Sequence, residues 1–261
     1  MAKSSITKLL RKLRLMQLSD KVRYQVHRCK MRGKNKAFLN AHPGLILPPD
    51  YMMYESFLLD YQRYYENGRK TAEWLADLVK NHSKLDQAAI LDWGCGPARV
   101  LRHLPEIVPE ASSYSGTDYN SKTISWCEEN LTGISFSTNS LMPPLSFEDE
   151  SFDFIYGISI FTHLSAEAHE KWLAELKRVL RQDGILFLTL HGEGFLSKLS
   201  ESEQNVFKSG QLVVRGQVKE GHRTYAAFQP PEYVKKWTKE LKLLEHIPGE
   251  GEQDVWILKK A

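Results

Sequence analysis

A short apolar segment that runs into a glycine-rich turn constrains the fold more than any other feature of this sequence. Residues 90–99 read ILDWGCGPAR, so an apolar stretch meets Gly94 and Gly96 within a few positions. Glycine has no Cβ, which lets the backbone turn sharply and approach a ligand closely. Pro97 suits the first position of a helix, where its missing N–H would be unpaired anyway. The segment therefore predicts a buried strand, a ligand-binding turn and a helix, in that order.

An acidic residue follows at the distance typical of a nucleoside-binding crevice. Asp118 lies 22 positions after Gly96 and follows a predicted strand, residues 113–117. A carboxylate at this place can accept the hydroxyls of a ribose. A dinucleotide would require a small residue where Arg99 stands, and the charge of Asp92 would repel its pyrophosphate. Asp92 suits an ammonium group instead, so the pattern favours S-adenosylmethionine over a dinucleotide.

These segments resemble the class I S-adenosylmethionine-dependent methyltransferases, and the likeness covers residues 88–191. The glycine-rich segment is similar to the first motif of that family, and the segment around Asp118 is similar to its acidic motif. Later segments are similar to those that lead into its fourth and fifth strands. The matching segments are residues 90–99, 117–120, 144–147 with 151–155, and 172–184. Residues 61–68, 161–164 and 253–255 resemble a subgroup of bacterial glycan or secondary-metabolite enzymes.

The resemblance implies a set of cofactor-binding residues. Asp92, Gly94 and Gly96 would hold the methionine end of the cofactor. Asp118 would hold the ribose and Tyr119 one face of the adenine. The set is completed by Cys95 and Arg99 in the turn, Asn139, Ser140 and Leu141 at the adenine edge, Gly157 on the fourth strand, and Tyr65 on a helix that covers the cofactor.

Two histidines at predicted strand ends are the candidate general bases. Methyl transfer from a sulfonium starts from an activated donor, so positioning supplies much of the acceleration and no metal is predicted. A hydroxyl acceptor benefits from a base within hydrogen-bond distance. His191 ends the fifth strand and His163 follows the fourth, which places both near the acceptor. A histidine at a strand end is also often a hydrogen-bonded structural group.

The function favoured by these residues is methyl transfer to a hydroxyl of a sugar, glycan or small metabolite, with S-adenosylhomocysteine as the product. A nitrogen atom or a lipid-linked substrate remains an open alternative for the acceptor. Another hypothesis is a non-catalytic module that binds S-adenosylmethionine for interaction or sensing. A third, an NAD-dependent oxidoreductase, is disfavoured by Asp92 and Arg99. The sequence leaves the oligomeric state open.

The charge of the chain is unevenly distributed. Residues 1–36 hold twelve Lys or Arg and a single acid, a net charge of +11, whereas the rest of the chain carries −8. Within this segment, apolar residues at helical spacing predict a basic amphipathic helix. It would either pack on the main domain or dock on an anionic membrane surface or an acidic partner. Nucleic acid is disfavoured because aromatic residues are not interleaved with the cations. The apolar positions are Ile6, Leu9, Leu10, Leu13 and Met16.

Length and composition fit one α/β domain with an extension. Hydrophobic residues make up 42% of the 261 residues and charged residues 26%, which is typical of a soluble globular protein. Three scattered cysteines indicate a reducing compartment, so we expect a cytoplasmic protein that is either free or peripheral to the membrane. The predicted divisions are residues 1–41, a basic extension; 42–87, a linker and helical lead-in; and 88–261, the catalytic domain, with an insertion and ribbon at about 192–229.

Alternation of strand and helix predicts the fold class: a Rossmann-like, doubly wound, mostly parallel sheet with helices on both faces and a helical N-terminal extension. Ligands should gather at the carboxyl ends of its strands. Residues 192–210 are predicted to be an exposed insertion. The predicted strands are residues 89–92, 113–117, 134–137, 154–159, 185–190 and 255–259, the helices are 98–107, 122–130, 166–180 and 232–240, and the ribbon is 211–218 with 222–228.

Overall fold

In a computed structural model, which describes residues 16–222, 224–249 and 252–261, the chain forms two compact units, Met1–Gly68 and Arg69–Ala261. The predicted amphipathic helix that begins at Ile6 lies outside the described residues, apart from its last position. No helix within the described part of the chain is long and apolar enough to cross a membrane.

The first unit is helical where it is described. It contains α1 (Met16–Ala41), α2 (Asp50–Phe57) and the start of α3 (Tyr61–Lys80). Asn35 fastens α1 to the segment that follows α2, because its Nδ2 donates a hydrogen bond of 2.9 Å to the carbonyl of Leu59. A small aromatic core forms between the helices, built from Met53, Tyr54, Leu59 and Tyr64.

The other unit is built on a seven-stranded sheet. Its strands are β1 (Ala89–Trp93), β2 (Ser113–Asp118), β3 (Ser135–Thr138), β4 (Phe152–Ile158), β5 (Leu180–Leu190), β8 (Lys242–Ile247) and β9 (Asp254–Lys259). Their order in the sheet is β3-β2-β1-β4-β5-β9-β8. The first five strands in the sequence are parallel, and the last two are antiparallel to their neighbours. The strand order reverses between β1 and β4, which is where a sheet of this kind opens a crevice at its carboxyl edge.

Helices cover both faces of the sheet, so the predicted fold class is confirmed. Alternate residues of β5 enter separate cores, since Leu186 and Leu188 pack on one face and Ile185 and Phe187 on the other. The helices of this unit are α4 (Leu104–Ile107), α5 (Ser121–Asn130), α6 (Ala166–Val179), α7 (Glu201–Lys208) and α8 (Pro231–Trp237). Strands β6 (Val213–Arg215) and β7 (Ala226–Phe228) form a separate two-stranded antiparallel ribbon. Its strands are shorter than predicted.

One local prediction is wrong, one is incomplete, and one strand was not predicted. The helix predicted for residues 98–107 does not begin at Pro97, because Ala98 has a φ of +54°, and helical structure starts only at Leu101. Most of segment 192–210, predicted to be an exposed insertion, is exposed or half-buried, but it contains α7, which starts with a capping box, and its Phe207 is buried. The edge strand β8 was not predicted at all, because its apolar residues do not alternate strictly with polar ones.

Candidate active site

A cleft opens at the carboxyl edge of the sheet, where β1, β2 and β4 end. Seven of the residues singled out in the sequence line it: Gly94, Asp118, Tyr119, Asn139, Ser140, Leu141 and His163. Five others that the sequence analysis did not assign to a site complete the wall: Trp93, Ile160, Leu164, Trp172 and Gly221. The sheet therefore brings together residues that lie far apart in the sequence.

The glycine turn forms the floor of this cleft. The N–H groups of Gly94 and Cys95 both donate to the carbonyl of Thr117, at 2.8 and 3.0 Å, which ties the end of β1 to the end of β2. Gly94 has a φ of +77°, and a Cβ on it would lie 2.2 Å from Cδ1 of Ile160. Glycine is therefore required at Gly94 by both backbone conformation and close packing.

Asp118 links the turn to the next helix. One carboxyl oxygen accepts the Gly96 N–H at 3.0 Å, and the other accepts the Asn120 N–H at 2.8 Å. Burial raises the pKa of Asp118, and these two hydrogen bonds oppose that shift. A carboxylate has about four acceptor positions, so both oxygens retain capacity for a ligand hydroxyl.

Asp92 is the buried acid at the end of β1. Its Oδ2 accepts a hydrogen bond of 2.9 Å from the hydroxyl of Tyr156 on the neighbouring strand. Burial raises the pKa of Asp92 to about 7, although the Tyr156 bond and the charge of Arg99 both lower it. Arg99 itself donates to Thr71 Oγ1 at 3.1 Å. A buried carboxyl with a raised pKa beside a cleft is a common mark of a functional group.

The far wall of the cleft is aromatic. Tyr119 is 43% exposed and its hydroxyl donates to the carbonyl of Gly221 at 3.2 Å. Asn139 accepts the hydroxyl of Thr117 at 2.5 Å, so its amide is held by the end of β2. The indole N–H of Trp172 donates to the carbonyl of Leu141 at 2.9 Å, which fixes the turn after β3.

The tip of the ribbon closes the rim of the cleft. The Gly221 N–H donates to the carbonyl of His163 at 2.9 Å, and the Glu220 carboxylate accepts the Ser165 N–H at 2.6 Å. Ser165 is the residue that caps α6. The loop between β6 and β7 is therefore anchored to the segment that follows β4.

The two candidate bases, His163 and His191, are each held by a hydrogen bond from the imidazole ring to a backbone carbonyl. The Nδ1 atoms of His163 and His191 donate to the carbonyls of Tyr225 and Ala227, at 2.8 and 3.0 Å. A carbonyl accepts only from an N–H, so each ring carries its proton on Nδ1 and leaves a lone pair on Nε2. Neither Nε2 has a hydrogen bond to a described residue, and both side chains are half-buried. Burial lowers the pKa of both rings, that of His191 to about 4, so both are neutral at pH 7.

The other seven predicted site residues are not among the described residues that line the cleft: Tyr65, Asp92, Cys95, Gly96, Arg99, Gly157 and His191. A Cβ on Gly157 would lie 2.8 Å from Cε3 of Trp93, so the space beside this glycine is filled by the indole. The Cys95 thiol donates to the Gly96 carbonyl at 3.4 Å, and burial raises its pKa, which keeps it protonated. Tyr65 belongs to the first unit, where its ring meets Phe38 edge-on.

The sequence held weak signals for two of the wall residues that were missed. Trp172 falls in a segment that resembles a family helix, but the resemblance does not indicate that its ring reaches the cleft. Gly221 marks the predicted ribbon turn, and nothing in a turn motif shows that its tip reaches the cleft. Ile160 and Leu164 carry no signal beyond their hydrophobic character.

Comparison with known proteins gives one family and a set of similar folds. Residues 90–184 match a family model described as a methyltransferase domain. The chain is similar to a solved structure of a SAM-dependent methyltransferase from Methanosarcina mazei, with 20% identity over 70% of this chain and 96% of the other, and a TM-score of 0.53. A protein of Pyrococcus horikoshii OT3 gives 17% identity over 82% of this chain and all of the other, with a TM-score of 0.58. An S-adenosylmethionine-dependent methyltransferase from Mesorhizobium loti gives 13% identity over 72% and 97%, with a TM-score of 0.54.

Proposed function

We propose that this chain, whose residues 90–184 match a methyltransferase domain, transfers a methyl group from S-adenosylmethionine to a hydroxyl of a sugar, glycan or small metabolite. The observation that supports a hydroxyl acceptor is the pair of neutral histidines that follow β4 and β5. Both rings are tethered through Nδ1 to alternate carbonyls of one segment, and both leave Nε2 available.

The residues of the cleft fit the expected cofactor of this family. The charge of Arg99 lowers the pKa of the buried Asp92 carboxyl group only in part, so the pKa stays raised. A bound ammonium group would lower that pKa further. Asp118 has acceptor capacity for ribose hydroxyls. The exposed ring of Tyr119 and the turn at residues 139–141 would frame the adenine. The roles of Asp118, Tyr119 and the turn are inferred from their positions in the cleft, and that of Asp92 from its charge and burial next to Trp93, which lines the cleft.

The protein's part in the chemistry is to orient the acceptor and take its proton. S-adenosylmethionine supplies a methyl group that is already activated on a sulfonium. With S-adenosylmethionine bound, the acceptor oxygen would bond to the methyl carbon as the carbon–sulfur bond breaks, and His191 Nε2 would accept the hydroxyl proton. That proton becomes strongly acidic as the oxygen is methylated, so a histidine whose pKa is about 4 is basic enough. His163 is the alternative base.

Helix α1, outside the cleft, has features of a surface that binds a partner. In α1 the side chains of Asn35 and Phe38 are buried, whereas Val22 is 57% and Val26 45% exposed. Exposed cations lie along the same helix: Lys21, Arg23, Lys30, Arg32 and Lys36. We infer that α1 docks on an anionic membrane surface, since charge and exposed apolar area act together in such binding.

Calorimetry followed by an acceptor screen tests the main proposal. Saturable binding of S-adenosylmethionine and S-adenosylhomocysteine, with NAD as the control ligand, is expected first. Release of S-adenosylhomocysteine in the presence of free sugars, oligosaccharides or lipid-linked sugars would then identify the acceptor class. Binding with no turnover against hydroxyl or amine acceptors would favour a sensing module, and tighter binding of NAD would favour an oxidoreductase.

A further inference from the structure

A ring of hydrogen bonds joins the start of β9 to the turn that follows β4. Thr189 Oγ1 donates to Gln253 Oε1 at 2.5 Å, and Gln253 Nε2 donates to Ser159 Oγ at 2.7 Å. The Ser159 N–H donates to Thr189 Oγ1 at 2.8 Å and closes the ring. Three strands, β4, β5 and β9, are therefore joined through three side chains at the carboxyl edge of the sheet.

The ring holds Ser159 in an unusual backbone conformation. Its φ is +65°, in the left-handed region that residues with a side chain rarely adopt. Thr162 adds to the restraint, since its hydroxyl donates to the Ser159 carbonyl at 2.7 Å. Strain of this kind persists only where the surrounding structure fixes it, and it is concentrated at functional sites. Gln253 supplies part of that restraint from 94 positions further along the chain.

The restrained turn carries one wall of the cleft and one candidate base. Ile160 follows Ser159 directly, lines the cleft and lies against Gly94. The His163 N–H donates to the Ile160 carbonyl at 3.0 Å, and the His163 ring is tethered to Tyr225. A change in the conformation of Ser159 would therefore displace the cleft wall and the imidazole together.

We propose that Gln253 is a positioning residue of the active site, whose side-chain amide holds the turn after β4 so that Ile160 and His163 keep their places at the cofactor cleft. The inference rests on the proposed function, because it takes the cleft as the binding site of S-adenosylmethionine and its product. Gln253 acts through Ser159 and is not itself a catalytic residue.

Titration of the full chain with S-adenosylhomocysteine tests this role. Gln253→Met keeps the length of the side chain and removes both of its hydrogen bonds, so we expect the Kd to rise about tenfold. Thr189→Val keeps the shape of Thr189 without its hydroxyl, so it should also raise the Kd. Thr189→Ser keeps the hydroxyl and loses a buried methyl group, so it should lower Tm and leave the Kd unchanged.

A matched control separates positioning from general stability. Val255→Ala truncates a buried side chain on β9, the strand that follows Gln253, so a lower Tm with a wild-type Kd is expected. A wild-type Kd in Gln253→Met would overturn the inference, and so would a Kd that follows Tm through all four variants. Failure of the wild-type protein to bind S-adenosylhomocysteine would instead overturn the proposed function. The double variant of Gln253 and Thr189 should bind no more weakly than the weaker single variant, because both changes break one ring.

Discussion

The hydroxyl group of Tyr156 donates a hydrogen bond of 2.9 Å to the carboxyl group of Asp92, and both side chains are buried. The two residues are register partners on β1 and β4, the strands between which the sheet reverses its order. Burial raises the pKa of both groups, that of Asp92 to about 7. An ionised Asp92 therefore destabilises the ligand-free protein, and a bound ammonium group would relieve that cost.

Asp92→Asn is expected to stabilise the ligand-free protein at pH 8. A carboxyl whose folded-state pKa is raised from 3.8 to about 7 contributes stability that is fully present below about pH 4 and is lost as the pH rises through about 7. The advantage of the variant over the wild type should therefore grow by about 2–3 kcal/mol between pH 5 and pH 8. Urea denaturation of both proteins at the two pH values measures it.

The same variant should lose affinity for S-adenosylmethionine, because a neutral amide attracts an ammonium group less than a carboxylate does. Glu129→Gln is the matched control, since Glu129 is exposed and its change should give the same stability difference at both pH values. An advantage of Asp92→Asn that does not depend on pH would show that Asp92 does not titrate between pH 5 and pH 8, which would contradict its raised pKa.

Asp118→Ala is expected to weaken binding of S-adenosylhomocysteine by about 1–3 kcal/mol, roughly fivefold to 150-fold. The change removes the acceptor for ribose hydroxyls and also the partner of the Gly96 and Asn120 N–H groups. Asp118→Asn keeps one oxygen, so its affinity should fall between those of the wild type and Asp118→Ala. Calorimetry measures the series, with the exposed Asp86→Ala as control. Unchanged affinity in Asp118→Ala would exclude the ribose role.

His191→Phe is expected to keep cofactor affinity and lower kcat by about a hundredfold or more. The phenyl ring can retain the stack on Phe195, whose centroid lies 4.2 Å from that of His191, but it has no Nε2 lone pair. The base acts in its neutral form, and its pKa is about 4, so wild-type activity should show no loss from this group until the pH falls towards 4. The pH–rate profile checks this, and an equal kcat in the variant would point to His163.

Much of the fold could be predicted because its signals are local. The segment around Ile90 is apolar, short and followed by glycine, which is sufficient to predict a buried strand and a turn. The helix after the turn was placed too early, because Pro97 favours a helix start while the left-handed conformation of Ala98 delays it. No propensity rule gives a positive φ to an alanine. That conformation depends on tertiary context.

Residues of the cleft could be predicted where they directly follow the ends of parallel strands. Gly94 and Asp118 could be placed in one cleft because the ends of parallel strands meet at the same edge of a sheet. The tethers of His163 and His191 were not predictable, because both run to carbonyls of the ribbon, and backbone acceptors have no residue-type signature. Gln253 gave no physical signal either, since its partners lie on two other strands.

Charge reversal on α1 should weaken its binding to anionic vesicles. Lys30→Glu with Arg32→Glu changes the charge of this exposed surface by four units and is expected to reduce co-sedimentation with phosphatidylserine-containing vesicles severalfold. Higher salt should reduce wild-type binding in the same way, because it screens exposed charges. Lys235→Glu with Lys239→Glu makes the same change of charge on the other unit and serves as control. Equal loss in both pairs would indicate an effect of net charge alone.

Alanine substitutions at the two turn glycines should differ in their effects. Gly94→Ala places a Cβ 2.2 Å from Ile160 Cδ1 at a φ of +77°, so a loss of about 3 kcal/mol or more is expected, with loss of S-adenosylhomocysteine binding. Gly96→Ala meets no atom within 4 Å and carries only the strain of a φ of +50°, which costs about 1–2 kcal/mol. Urea denaturation and calorimetry compare the two variants. Similar losses of stability would mean that Ile160 yields to the new methyl group, and that backbone conformation alone requires glycine at Gly94.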